Sequence, residues 1–136
     1  MSDNPYQDFL SKDFAYAVVG ATQNKDKWGY KIFKKLLKNG FTVYPVNPKY
    51  DEIEGFVCFP NLVSLSNVPD VVDTVVPPEV TEKVVEKCLE LGVKKVWMQP
   101  GSESEKAIKF CEDKGIAVVH HACIVRDGLK QTFDDV

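Results

Sequence analysis

The stretch VVGATQNKDKWG, residues 18–29, ends an apolar segment in glycine and small polar residues and then leads into a helical pattern. The preceding run FAYAVV (14–19) is typical of a buried strand. In the following run YKIFKKLLKNG (30–40), apolar residues and lysines recur at helical spacing, and Gly40 is typical of a helix end. A strand, a turn and a helix in this order predict the first half of a βαβ unit.

The predicted first helix is amphipathic. We expect its apolar face to contact the core and its lysine face to lie in solvent. The two faces carry Ile32, Phe33, Leu36 and Leu37 on the apolar side, and Lys31, Lys34, Lys35 and Lys38 on the charged side.

The same alternation of strands and helices continues along the chain. The pattern predicts strands at 42–46, 71–76, 95–99 and 116–120, a short edge strand near 56–59, and helices at 79–92 and 103–114. Helical spacing in the second helix predicts a core face of Val80, Val84, Cys88 and Leu91.

Strands separated by helices of this length are joined by right-handed crossovers into a parallel sheet. We therefore expect a Rossmann-like α/β fold, a doubly wound parallel sheet of about five strands with helices on both faces. With 136 residues, of which 44% are hydrophobic, the chain is predicted to form a single domain over 1–136. Residues 1–13 are expected to be an N-terminal extension or a short helix.

The composition limits the classes of binding partner and the cellular compartment that we expect for this protein. A net charge of −3 gives no basic field for nucleic acid or an acidic membrane surface, and no run is long enough for a membrane span. The N-terminal segment lacks the layout of a signal peptide, so we expect a cytoplasmic protein. The cysteines form no CxxC pair, which predicts reduced, mostly buried thiols rather than a zinc site or a disulfide framework; they are Cys58, Cys88, Cys111 and Cys123.

Turn-forming or small polar residues follow the predicted strands. The loops read GATQNKDKWG after the first strand, NPKY after the second, PPE after 71–76 and QPGSES after 95–99. In an open parallel sheet, ligands bind beyond the carboxyl ends of the strands, where the strand order reverses. We therefore expect these loops to converge on one ligand-binding crevice.

The first loop does not match a dinucleotide fingerprint, because Thr22 and Lys25 occupy the second and third glycine positions of G-x-G-x-x-G. Gly20 still permits a tight turn, Thr22 and Gln23 carry hydrogen-bond donors, and Lys25 and Lys27 add positive charge near the start of a helix. The alternative is that Gly20 only packs closely against the helix. If the loop holds phosphate, Gly20→Val is expected to abolish ligand binding while the fold largely survives.

The end of the second strand distinguishes the candidate ligands. An NAD site favours an acidic residue there, but this chain has Asn47, Pro48 and Lys49. A lysine favours a nucleotide with an extra ribose phosphate, as in NADP and coenzyme A (CoA). Asp51 and Glu52 follow shortly after, so a displaced acid remains an alternative.

Several strand-end segments, in order, resemble a known family: GAT…WG, YPVNP, VPP, QPG and the late cysteine in HACIV. From about residue 14 to 126, the chain is similar to the small single-domain CoA-binding proteins and to the N-terminal domain of the succinyl-CoA synthetase alpha subunit. The resemblance implies that the Gly20 loop contacts the CoA phosphates and that Lys49 lies near the phosphorylated adenosine. The synthetase's phosphorylated histidine belongs to a second domain that has no counterpart here.

The candidate binding residues are those indicated by the strand-end loops and by this resemblance. Trp28 is included because its ring could flank an adenine, although core or rim packing is the alternative. The full set is Gly20, Ala21, Thr22, Gln23, Lys25, Trp28, Gly29, Asn47, Pro48, Lys49, Val76, Pro77, Pro78, Gln99, Pro100 and Gly101.

The expected function is therefore binding of CoA or acyl-CoA, with no evident catalytic or metal-binding residues. His120 and His121 lack a nucleophile partner in sequence, and Cys123 is expected to be buried, with a mixed disulfide to CoA as the alternative. Two other functions remain open: an NADP-binding redox sensor or oxidoreductase, and a CoA-responsive subunit of a larger complex. Formation of a homodimer or of a complex with another protein is compatible with either of these two functions.

Overall fold

A computed structural model describes residues 4–136, which contain seven strands and three α-helices. The strands are β1 (Ala15–Val19), β2 (Thr42–Val46), β3 (Glu52–Ile53), β4 (Phe56–Val57), β5 (Val71–Thr74), β6 (Lys95–Met98) and β7 (Ala117–Val119). The helices are α1 (Trp28–Lys38), α2 (Pro78–Leu91) and α3 (Glu105–Asp113). Short 3₁₀ turns cover Gln7–Phe9 and Leu62–Ser64, and a π-helical turn covers Ile124–Gly128.

Five strands form one parallel sheet in the order β2-β1-β5-β6-β7. The chain runs outward from β1 to β2, returns to β5 on the other side of β1, and continues to β6 and β7. The strand order therefore reverses between β1 and β5, which is where such sheets open a crevice. The predicted doubly wound parallel sheet is confirmed.

Each face of the sheet buries its own apolar cluster. Tyr16 and Val18 of β1 pack with Phe33 and Leu36 of α1 on one face. Ala17 and Val19, the alternate residues of β1, point to the other face. There they belong to a second apolar cluster with residues of α2 and α3, such as Val85 of α2. The central strands are buried on both sides, which explains their nearly continuous apolar sequences.

Helix α1 begins two residues before the predicted start, at Trp28, and one of its lysines is not in solvent. Lys35 is buried, and its Nζ lies 2.6 Å from Oδ1 of Asp135 near the C-terminus. That hydrogen bond lowers the pKa of the Asp135 carboxyl. The prediction of a fully solvated lysine face was wrong, because a carboxylate a hundred residues away in sequence neutralises Lys35.

The predicted edge strand near 56–59 is instead mainly an antiparallel hairpin of β3 and β4. Glu54 and Gly55 connect the two strands, with φ of 53° and 82°, as a tight two-residue hairpin turn requires. Only Phe59 reaches the main sheet, where its N–H donates to Pro45 O and its carbonyl accepts from Asn47 N.

Helix α2 is rotated from its predicted core face. Thr81, Val85 and Cys88 are its buried residues, with Val84 only partly buried against the same cluster, whereas Val80 is exposed. The side chain of Val80 is therefore not part of the hydrophobic core.

One acidic side chain lies inside the sheet. Asp73 of β5 pairs in register with Val18 on one side and Trp97 on the other, and it has no exposed surface. Neither carboxyl oxygen finds a hydrogen-bond partner within residues 4–136. Burial raises the pKa of Asp73 well above its ordinary value, because a charge there has no solvation.

The prediction of buried thiols is confirmed, since all four cysteines are free and buried. No helix in the described part of the chain has the length and apolar character needed to cross a bilayer. Across residues 4–136 there is also no cluster of metal-ligating side chains.

Candidate functional site

A cavity of about 1140 Å³ opens where the strand order reverses. Its base is formed by the carboxyl ends of three strands, through Val19 at the end of β1 and Gly20 after it, Val46 at the end of β2, and Val75 after β5. The first turn of α1 and one face of α2 form its sides. Its volume is slightly above the usual range of about 300–1,000 Å³ for ligand pockets. We call it the nucleotide cavity.

Two glycines let the first loop pass at backbone contact with its neighbours. Gly20 has φ of +102°, and a Cβ there would lie 2.2 Å from the carbonyl oxygen of Val75. A Cβ on Gly29 would lie 2.1 Å from the carbonyl oxygen of Gly20. No side chain fits at either position, so the close packing of strand, loop and helix depends on both glycines.

Hydrogen bonds from the second strand end hold this loop in place. Thr22 Oγ1 lies 2.9 Å from the Tyr50 hydroxyl, and Asn47 Nδ2 donates to the carbonyl of Ala21 at 2.8 Å. Asn47 Oδ1 in turn accepts from the N–H of Lys49. The loops after β1 and β2 therefore form one preorganised wall of the cavity.

The side chains that line the nucleotide cavity carry a net positive charge, although the net charge of the whole chain is negative. Its walls carry four lysines and one aspartate, namely Lys27, Lys49, Lys83, Lys87 and Asp26. The N-terminus of α1 also faces it and has no side-chain cap among residues 4–136. Uncapped backbone N–H groups at a helix start attract anions.

A second cavity of about 380 Å³ adjoins the first and shares Trp28, Val75, Val76 and Pro77 with it. Its other walls come from the loop after β6 and from the turn that follows β7. We call it the Gln99 cavity. Because Trp28 borders both spaces, its half-exposed ring separates them.

The structure brings most of the predicted site residues to these two cavities. Those that line the nucleotide cavity are Gly20, Thr22, Trp28, Gly29, Asn47, Pro48, Lys49, Val76 and Pro77. Those that line the Gln99 cavity are Gln99, Pro100 and Gly101, together with Trp28, Val76 and Pro77.

Four predicted residues lie elsewhere. Ala21 is buried behind the loop, and Pro78 is the first residue of α2. Gln23 turns toward the β3–β4 hairpin, where its Nε2 donates to the carbonyl of Glu52. Lys25 is exposed and borders none of these cavities.

Sequence reasoning missed the contribution of α2. Val80, Lys83, Val84 and Lys87 line the nucleotide cavity and follow the i, i+3, i+4, i+7 spacing of one helix face. That mixture of valine and lysine is the available signal, because a helix face that packs in the core would not carry two lysines. The loop after β4 was also missed, although Asn61 and Leu62 border the same space.

The histidines lie outside both cavities. His120 Nδ1 is 2.6 Å from His121 Nδ1, and His121 is exposed. Cys123 does border the Gln99 cavity, and its backbone N–H donates to Asp127 Oδ2.

Comparison with known proteins identifies a matching family. A family model described as a CoA binding domain matches residues 15–128. An ADP-forming acetate–CoA ligase from Methanocaldococcus jannaschii is 38% identical over 86 residues, which are 63% of this chain and 12% of the ligase. The chain spans only 12–17% of the length of such ligases from this archaeon and Archaeoglobus fulgidus.

Proteins of similar length also match. Bacillus subtilis YneT, an uncharacterized protein, is 28% identical over 118 residues, with 87% of each chain covered. A conserved hypothetical protein from Pyrococcus furiosus has a solved structure with a TM-score of 0.78 and 45% identity, covering 82% of this chain and 96% of that one. The family match covers most of the chain, and the chain belongs to the CoA binding domain family.

Proposed function

We propose that the chain binds CoA or an acyl-CoA with the nucleotide end in the nucleotide cavity. The observation that carries the proposal is a positive cavity at the strand-order reversal of a CoA binding domain. CoA carries a diphosphate and a ribose phosphate, so it needs several cationic or N–H groups in one place. Binding rather than catalysis is the proposed role.

The diphosphate is assigned to the first loop and the start of α1. The close packing at Gly20 and Gly29 fixes the first turn of α1 against the end of β1, at the wall of the nucleotide cavity. The N-terminus of α1 has no acidic residue in its first turn, and Lys27 precedes it. These features favour a phosphate group there.

The ribose phosphate is assigned to lysines around the cavity rim. Lys49 was selected from sequence, and Lys83 and Lys87 approach from α2 on the opposite wall. Lys87 is paired with Glu90 at 3.1 Å, whereas Lys49 and Lys83 have no carboxylate partner among residues 4–136. Lys49 and Lys83 are therefore the preferred ligands of the phosphate.

CoA is expected to raise the melting temperature more than NADP or NAD does. At about 100 times its dissociation constant, a ligand adds about 2.7 kcal/mol, which corresponds to roughly 10 °C for a chain of this size. Differential scanning fluorimetry with all three ligands checks this expectation. A shift with NADP that equals or exceeds the shift with CoA would instead favour the redox-sensor function.

Lys49→Ala is expected to weaken CoA binding about tenfold and to weaken dephospho-CoA binding much less, because a charge-assisted bond to the ribose phosphate is lost. Lys83→Ala tests the opposite wall in the same way. Lys94→Ala is the matched control, since Lys94 is exposed at the amino edge of the sheet next to β6. Calorimetric titration with both ligands gives the ratios, and an equal loss for both ligands contradicts the assignment of Lys49.

A second candidate function is a CoA-responsive part of a larger assembly. It is favoured by the relatives, which include the alpha subunit of an ADP-forming acetate–CoA ligase from Pyrococcus furiosus at 27% identity. Size-exclusion chromatography with and without CoA tests whether occupancy changes the association state.

A further inference from the structure

The Gln99 cavity contains polar groups that binding of the CoA nucleotide does not use. We propose that this cavity receives the thioester end of an acyl-CoA, and that it selects a short acyl group that ends in a carboxylate. The inference rests on the proposed function, because the acyl group is assumed to enter from a CoA bound in the adjoining cavity. Two side chains, Gln99 and Arg126, carry the argument.

Gln99 presents an unpaired hydrogen-bond donor to this cavity. The residue is only 4% exposed, and its Oε1 accepts from the N–H of Ile124 at 2.9 Å. Because that N–H can only donate, the bond fixes which end of the amide is oxygen. The Nε2 group is left without an acceptor in the part of the chain that the structure describes. An unpaired donor on a nearly buried side chain that lines a cavity is complementary to a carbonyl oxygen.

The carbonyl that reaches this position would be the one next to the CoA sulfur. The two cavities share Val76 and Pro77, an apolar wall suited to the uncharged pantetheine arm. Pantetheine leads away from the phosphates, so the sulfur and its acyl group enter last. A thioester carbonyl oxygen at Gln99 Nε2 then satisfies the donor.

Arg126 supplies the charge at the rim of the same cavity. Its guanidinium carbon lies 5.1 Å from the ring centre of Trp28 and 5.5 Å from that of Phe133. These two rings contact each other and hold the guanidinium by cation–π interactions. Arg126 forms no salt bridge with any carboxylate among residues 4–136. A positioned, unpaired guanidinium favours a carboxylate ligand.

The dimensions of the cavity favour a short acyl group. Its volume of about 380 Å³ lies near the lower limit for ligand sites. Ser102, which is 2% exposed, and the buried Cys123 close its inner side. A long alkyl chain would have to leave past Arg126 into solvent, where apolar surface gains nothing.

The carbonyl contact is tested with two ligands that differ in one group. Acetyl-CoA carries the thioester oxygen, and S-ethyl-CoA replaces its carbonyl by a methylene. We expect the wild-type protein to bind acetyl-CoA about tenfold more tightly, because S-ethyl-CoA leaves Gln99 Nε2 without an acceptor. Gln99→Glu keeps an oxygen for Ile124 and removes the donor, so the ratio is expected to fall toward one at pH 8.5.

The carboxylate contact is tested with malonyl-CoA against propionyl-CoA and with glutaryl-CoA against pentanoyl-CoA. Each pair has the same number of acyl carbons and differs in the terminal charge. We expect at least one charged ligand to bind about tenfold more tightly than its neutral counterpart, with the preference decreasing as salt increases. Arg126→Gln is expected to abolish the preference, and Arg126→Lys to retain part of it.

The outcomes separate the two proposals. If CoA binds but acetyl-CoA equals S-ethyl-CoA and neither charged ligand is preferred, the assignment of the Gln99 cavity is wrong and the proposed function stands. If CoA itself does not bind, the proposed function fails first. A preference for the charged ligands that persists in Arg126→Gln also overturns the role of Arg126.

Discussion

Gly29→Ala is expected to lower the free energy of unfolding by about 3 kcal/mol or more, although alanine normally stabilises a helix by about 1 kcal/mol relative to glycine. The reason is the carbonyl oxygen of Gly20, which would lie 2.1 Å from the new Cβ. A backbone oxygen at the end of a central strand cannot rotate away as a side chain does. Helix α1 must therefore move off the sheet.

Gly92→Ala is the matched control for this substitution. Gly92 ends α2 with φ of +84°, and no atom of residues 4–136 beyond its chain neighbours lies within 4 Å of a Cβ built there. Its replacement is expected to cost about 1 kcal/mol, from backbone conformation alone. Urea denaturation of both variants gives the comparison, and a Gly29→Ala protein as stable as wild type would show that the helix and loop do not need this contact.

The same geometry corrects the expectation for Gly20→Val. The hypothesis that the first loop binds phosphate predicted that the fold of this variant would largely survive. A Cβ on Gly20, however, would lie 2.2 Å from the carbonyl oxygen of Val75. Its φ of +102° is also one that valine rarely adopts. Loss of CoA binding in this variant would therefore not identify a phosphate contact, and the lysine variants are the better test.

Asp73 is expected to make the wild-type protein lose stability as pH rises above about 4. In the unfolded chain, its carboxyl ionises near pH 4. In the folded protein, burial raises its pKa well above that value, so the carboxyl keeps its proton. The native state then binds one proton more than the unfolded state, and each pH unit between the two pKa values costs about 1.4 kcal/mol.

Asp73→Asn removes this titration with little change in volume. Unfolding free energies of the two proteins, measured by urea denaturation between pH 4 and pH 8, are expected to diverge as pH rises, with the wild type less stable. Asp8→Asn, at an exposed position in the 3₁₀ turn, is the control and should follow the wild type. Parallel curves for wild type and Asp73→Asn would mean that the carboxyl is solvated or paired.

The strands were predictable because their signal is local. Residues 42–46 were predicted as a strand and match β2, and the strand–loop–helix pattern around Gly20 defined the first βαβ unit. The two-stranded hairpin was missed because Glu54 and Gly55 supply its positive φ angles, whereas Asn-Gly or Asp-Gly is the usual sequence.

The remaining errors depend on long-range packing. The burial of Lys35 depends on Asp135, and no helical pattern in residues 30–40 encodes that partner. For α2, sequence spacing was compatible with either of two adjacent faces. Only the packing of the helix on the sheet assigns Val85 to the core and Val80 with Lys83 to the nucleotide cavity.

The strand order also has a consequence for synthesis on the ribosome. β1 ends at Val19, but its second partner, β5, begins only at Val71. At about 5–20 residues per second, that interval lasts about 3–10 s. During this time one edge of an almost entirely apolar strand has no pairing partner within the nascent chain. Chaperone binding or misassembly during translation is therefore expected to begin at residues 15–19, well before the two cavities exist.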